Sequence, residues 1–432
     1  MNRWALVLSA SAIALASCES QNLAGPSADG AGAAGTAAGS AGSGAESGAT
    51  GGVSGSRAGA AGSTIEAGLA GAAEAAGATA SAGAAGAAGA AGAAGAGEPG
   101  CDAASVGDLE VYLRSSWDPL GYPPYAVDDC TLVYVASGTE PGALRVRNLA
   151  TGDDALLESA ASKPRRPAVS GAVIAWEADG AAGSEVHVRA RAGDAVQSLS
   201  GPFVRAEEPR VTSNAVVFTA FMGPEPNADS DVYLLDVLTG QLSVVAAGAG
   251  QQRFADVSPT HVAFTDFSED PQGYFSEAGS ISDIALVERA SGTRTSRAAP
   301  GKQAFPLLGT GGVFAYLEWA AVHPEPKLGQ FWLKVGRLDR PVSEDFNVKT
   351  TGQVTTNPAY VRPSLRGLNL DFIDQGPEGV ALFRAALSNP GSLVSAKIAG
   401  AQQLVGPVAG ERFTLLGNQR GVATVSLLAV AR

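Results

Sequence analysis

Over about its last three quarters, this 432-residue chain is predicted to be all-β, a seven-bladed β-propeller with six or eight blades as the alternatives. Three observations predict it. Residues 208–245 read as four short strands, PRVTS, AVVFTAF, DVYLLDV and QLSVV, punctuated by Gly, Pro, Asn and Asp. Such a sheet cannot cover both its faces alone, so it needs neighbours like itself. The sequence holds them: the second strand recurs as TLVYVA, AVIAWE, AVVFTA, HVAFTD, VFAYLE and NLDFID. Tyr134, Trp176, Phe218, Phe264, Tyr316 and Phe372 fill one column at spacings of about 42 to 56 residues. The third observation is a unit that lacks one strand. Residues 402–408, 412–417 and 421–430 supply three strands near the C-terminal end, while 109–115 (LEVYLRS) form an upstream strand without a partner. Pairing the two closes the ring and removes its open edges.

In chain order, residues 1–17 read as an export signal. Met1, Asn2 and Arg3 precede an apolar run over 4–16 that is too short to span a bilayer as a helix. Leu15-Ala16-Ser17-Cys18 resembles a bacterial lipobox, which implies that Cys18 becomes the lipid-bearing first residue of the mature chain. Glu19 follows, rather than the Asp linked to inner-membrane retention, so a cell-envelope lipoprotein on the outer membrane is expected. Residues 18–100 are dominated by Ala, Gly and Ser and end near GAAGAAGAAGAAGAG. So few apolar side chains cannot offset the entropy of ordering, and a disordered tether reaching on the order of 50 Å is expected.

The propeller is assigned to 101–432. Its third strands align as ALRVRNLATG, EVHVRARAG, DVYLLDVLTG and DIALVERASG, several ending in a Thr-Gly or Ser-Gly turn. With Cys18 assigned to lipid, Cys101 and Cys130 are an even pair in an exported chain, and a disulfide is expected. Ring closure by 109–115 brings the two to one face in adjacent blades.

Pro209, Ser213, Phe218, Tyr233, Asp236 and Gly240, followed by Ser258, Pro259, Ala263 and Phe264, resemble the TolB-type (WD-repeat-like) propeller repeat. The Asp-Gly turn of that repeat is replaced by Ser213-Asn214 and Pro259-Thr260. The resemblance implies the fold. No counterpart of the α/β domain that precedes the propeller in TolB is expected.

Chemistry is sparse. A net charge of −13 argues against nucleic acid, which requires a basic face. His187, His261 and His323 fall at unrelated strand and loop positions rather than lining one channel, and the folded part holds no Gly-x-Ser-x-Gly. Asn227, Asp229 and Asp231 alternate as calcium-loop ligands do, but Val232 and Leu238 stand where Gly and Glu are needed. No metal and no cofactor are expected. The expected function is a non-enzymatic, monomeric, lipid-anchored binding or scaffold protein with an envelope protein or glycan as partner. A propeller enzyme acting on glycans and a surface structural protein are the alternatives. Long loops over 222–230, 268–282 and 320–330 share one face with the connections between blades. That face offers Trp117, Tyr122, Phe221, Tyr274, Phe275, Trp319 and His323 as a candidate binding surface.

Overall fold

A computed structural model describes residues 101–113, 122–190, 194–274, 281–319, 331–348, 362–376, 379–388, 393–397, 404–419 and 423–432. The chain divides into two units, Met1–Ala88 and Gly89–Arg432, and every described residue belongs to the second. The export signal, Cys18 and the tether lie outside the described residues.

Seven four-stranded antiparallel sheets make up the fold, a seven-bladed β-propeller. Blade 3 comprises Arg205–Thr212, Ala215–Phe221, Ser230–Asp236 and Leu242–Ala246, the four strands read from the sequence. The last blade takes Leu404–Ala409, Phe413–Gln419 and Thr424–Ala431 from the C-terminal end and Glu110–Tyr112 from upstream. Glu110 pairs with Ser426, Val111 with Val425 and Tyr112 with Thr424. The closing strand is described over Glu110–Tyr112; of the 109–115 expected from its pattern, residues 114 and 115 lie outside the described residues.

The aromatic column is the cement between blades. Tyr134, Trp176, Phe218, Phe264, Tyr316 and Phe372 are all buried. Each ring packs on the preceding sheet: Trp176 against Val133 and Val135, Phe264 against Val217 and Val232, Tyr316 against Ile284 and Leu286. Blade 7 places Leu416 in that column, against Ile373 and Leu382 of blade 6. Radial packing thus needs a large side chain at this point, and a leucine suffices in blade 7.

The predicted Thr-Gly and Ser-Gly turns join third to fourth strands. In blade 3 the Asp236 carboxylate accepts from the N–H groups of Leu238 (3.0 Å) and Thr239 (2.8 Å), and Gly240 follows at φ +71°. Asn148 plays the same part for Ala150 and Thr151 ahead of Gly152. A left-handed residue is needed to turn the chain back, and glycine adopts it without a Cβ penalty.

The first strands adjoin one another around the ring and wall its central channel. Each runs from the connection face, with its blade-to-blade connections and second–third loops, to the turn face, with the first–second and third–fourth turns. In five blades this strand carries a bulge, for example between Glu207 and Arg210 and between Arg253 and Asp256. Arg166, Glu208, Phe254 and Phe305 sit at these bulges with φ of 49°, 62°, 56° and 58°. Such a backbone costs a non-glycine residue on the order of 1–3 kcal/mol and persists only where the surroundings hold it.

Candidate functional site

What holds the bulges is also what fills the channel. The Phe254 N–H donates to Glu208 (3.2 Å), the Glu208 N–H to Glu177 (3.4 Å), and the Phe305 N–H to the Thr265 hydroxyl (3.1 Å). The acceptors Glu177 and Thr265 each stand one residue past the aromatic column of the preceding blade. The second strand of one sheet thus fixes the bulge of the next. At the bulge the chain bends and brings charged and aromatic side chains to the channel.

Glu208, 0% exposed, pairs with Arg253 at 2.5 Å and accepts from the Thr219 hydroxyl at 2.9 Å. Burial pulls its carboxyl upward, but the guanidinium groups of Arg253, Arg166 and Arg362 outweigh this and hold it below the usual range. Glu177, 1% exposed, receives Arg165 and, at 2.8 Å, Arg166. Arg362, ahead of Pro363 in blade 6, lies 3.6 Å from the ring centre of Tyr122 and 4.4 Å from that of Phe305. Arg210 and Arg166 approach the same tyrosine ring at 5.0 and 5.1 Å. Tyr122 therefore stands in the channel among cations from blades 2, 3 and 6, and burial raises its phenol above the usual value. It plugs the channel toward the connection face.

The turn face is open. There a cavity of about 440 Å³ is lined by residues 211–213, 256–259, 308–310 and 365–367, together with Ser170, Asn369, Glu411 and Arg432. These are the ends of first strands and the turns that follow them. Asp256, partly buried, accepts from the Leu308 N–H at 2.7 Å and has no ion pair among the described residues. Burial raises its carboxyl, with Arg210 and Arg362 pulling the other way. Arg366 is held by Asp128 and stands 3.7 Å from Glu411, while Arg432 and Arg384 share Asp371, each at 3.0 Å.

A pH test follows from Asp256. Its folded pKa lies above the unfolded one, so the stability it contributes is complete below the unfolded pKa and is lost as pH rises through the folded pKa. Asp256→Asn keeps an acceptor for Leu308 and cannot ionise. Its Tm relative to the parent chain is expected to be better at pH 7 than at pH 3 in calorimetry. An advantage that shrinks over that interval would contradict the assignment.

The candidate surface read from the sequence is rearranged. Tyr122 and Phe221, 7% and 1% exposed, leave the free face. The first plugs the channel, and the second lies beneath the guanidinium groups of Arg205 (4.0 Å) and Arg253 (5.0 Å). An aromatic ring beside several buried guanidinium groups is drawn inward by cation–π attraction. Tyr274 is half-buried in the second–third loop of blade 4, and Trp319 ends the second strand of blade 5. Trp117, Phe275 and His323 lie outside the described residues.

Of the proposed calcium set, Asp229 accepts from the Gly250 N–H at 3.1 Å and Asn227 is exposed, which ties the aspartate to the entry of blade 4. Among the described residues no three His, Cys, Asp or Glu side chains are grouped to hold a metal. His187 bonds Glu158 at 3.1 Å and His261 bonds Thr260 at 2.9 Å.

Sequence reading passed over Arg166, Arg210, Arg253, Arg362 and Glu208. A signal was present: Arg166-Pro167, Glu208-Pro209, Phe305-Pro306 and Arg362-Pro363 repeat a large side chain before proline in the first strands, or just ahead of them, of blades 2, 3, 5 and 6.

With this geometry in hand, the chain can be set beside known proteins. No family model and no curated protein sequence matches it. Among solved structures it is similar to the β-propeller domain of the trilobed protease from Pyrococcus furiosus, at 10% identity and a TM-score of 0.52, over 74% of this chain and 92% of that one. It is also similar to an oligogalacturonate lyase in complex with manganese, at 11% identity and a TM-score of 0.50, over 70% and 86%. A further likeness is to TolB from Acinetobacter baumannii, at 13% identity and a TM-score of 0.38. There the chain covers 63% of the other's length. What these likenesses have in common is the propeller fold.

Proposed function

We propose that this chain is a lipid-anchored binding protein of the cell envelope, without enzymatic activity, that presents its propeller to a protein or glycan partner. The observation that carries the reading is how the channel uses its charges. The carboxylates Glu177 and Glu208 face guanidinium groups around the Tyr122 plug, whereas a nucleophile or general base must stand within reach of a substrate. What stays open is a polar mouth on the turn face, while Tyr274 is half-buried in a loop on the other.

On this reading residues 1–17 are removed, Cys18 bears lipid, and 18–100 tether the propeller domain (101–432) to the outer membrane. Stable anchoring takes more than one acyl chain, so Cys18 is diacylated. Cys101 and Cys130, whose Cα atoms stand 5.4 Å apart, form a disulfide that fastens the ring closure. On this reading the propeller serves as a binding platform rather than as a reaction chamber.

In-cell cross-linking followed by membrane fractionation tests the reading. The parent chain is expected in the membrane fraction with a cross-linked partner, and Cys18→Ala in the soluble fraction. Unchanged partitioning of the variant would sink the anchor. Cleavage of glycans or peptides by the purified chain would sink the binding role.

A further inference from the structure

We infer that the mouth of the channel on the turn face is a ligand site for a neutral, polyhydroxylated molecule, one or two sugar residues of an uncharged glycan. This rests on the binding role above and adds the place and the chemistry of recognition. The cavity of about 440 Å³ is within the range of small-ligand sites and lies on the turn face.

Its lining is amphipathic in the way a pyranose ring is. Leu308 and Leu365 supply apolar surface for C–H edges. Ser213, Thr310 and Asn369 line the same cavity, and their side chains make no hydrogen bond among the described residues. Hydroxyl and amide groups of this kind can both donate and accept, which matches the alternating demands of sugar hydroxyls.

Charge selects against ionic ligands. The four ionisable side chains of the lining balance: Asp256 and Glu411 against Arg366 and Arg432. Arg366 is also paired with Asp128, and Arg432 shares Asp371 with Arg384. A phosphate or an acidic sugar meets two carboxylates for the two guanidinium groups of the lining. A polyamine would have to bring two or more charges against Asp256 and Glu411, with Arg366 3.7 Å from the second. A neutral molecule uses the same charged groups as strong hydrogen-bond partners at no electrostatic penalty. No aromatic platform lines the cavity, so affinity rests on hydrogen bonds and a dissociation constant on the order of a millimolar is expected.

Isothermal titration of the full-length chain in detergent with N,N′-diacetylchitobiose and maltose tests the site, with inorganic phosphate and spermidine as charged comparators. At least one neutral disaccharide is expected to bind. The double variant Thr310→Val, Asn369→Ala is expected to weaken it at least tenfold with its Tm unchanged. Asp256→Asn, which preserves the contact to Leu308, should weaken it as well and guards against a folding artefact in the double variant. Binding of phosphate or spermidine but not sugar would overturn the ligand class while leaving the binding role to the cross-linking experiment. Sugar binding of equal strength in all variants would overturn the site, and no binding of any probe would overturn the proposal.

Discussion

Glu208→Ala is expected to destabilise the propeller by about 3–5 kcal/mol, because it removes one partner of a buried ion pair and leaves the other in place. Arg253, with a side chain 10% exposed, would keep its charge without its partner at 2.5 Å. The Phe254 N–H and the Thr219 hydroxyl would lose their acceptor in the same step. The bulge of blade 4 would then lack the bond that holds Phe254 in its left-handed conformation.

A pH signature accompanies the loss. The folded pKa of Glu208 is depressed, so its contribution is present above the unfolded pKa and is lost as pH falls through the folded value. Urea unfolding at pH 7 should therefore separate the variant from the parent chain, and the gap should close on strong acidification. A shift below about 1 kcal/mol at pH 7 would show that the pair is exchangeable for solvent.

Cys130→Ser is expected to cost roughly 3–4 kcal/mol by the chain-entropy account of a bridge closing a loop of this length. The two cysteines are 29 positions apart in sequence. Between them lies the strand Glu110–Tyr112, whose three residues pair with blade 7 and close the ring. So short a strand holds its blade by few hydrogen bonds. Cys101, buried with Val106 and Val111 against Leu132 and Phe413, keeps the strand's approach fixed to the neighbouring blades. The measurement is unfolding of parent and variant under non-reducing conditions. Free thiols at both positions in mass spectrometry of the parent chain would remove the basis of the prediction.

The sequence by itself determined the repeat, and with it the architecture. An aromatic in six of the seven blades, alternating strands and turn glycines are local patterns, so the seven units, the closing strand and the Thr-Gly turns of blades 1 and 3 are legible residue by residue. Where Cys101 and Cys130 meet followed from counting strands around the ring. Only the tertiary structure decided which side chains enter the channel. Arg166, Arg210 and Arg362 reach Tyr122 from three blades widely separated in sequence. No local pattern records such a meeting, and so Tyr122 and Phe221 read as members of an exposed face. The reason is geometric: a ring brings its first strands to one axis, and a bulge redirects what each of them carries there.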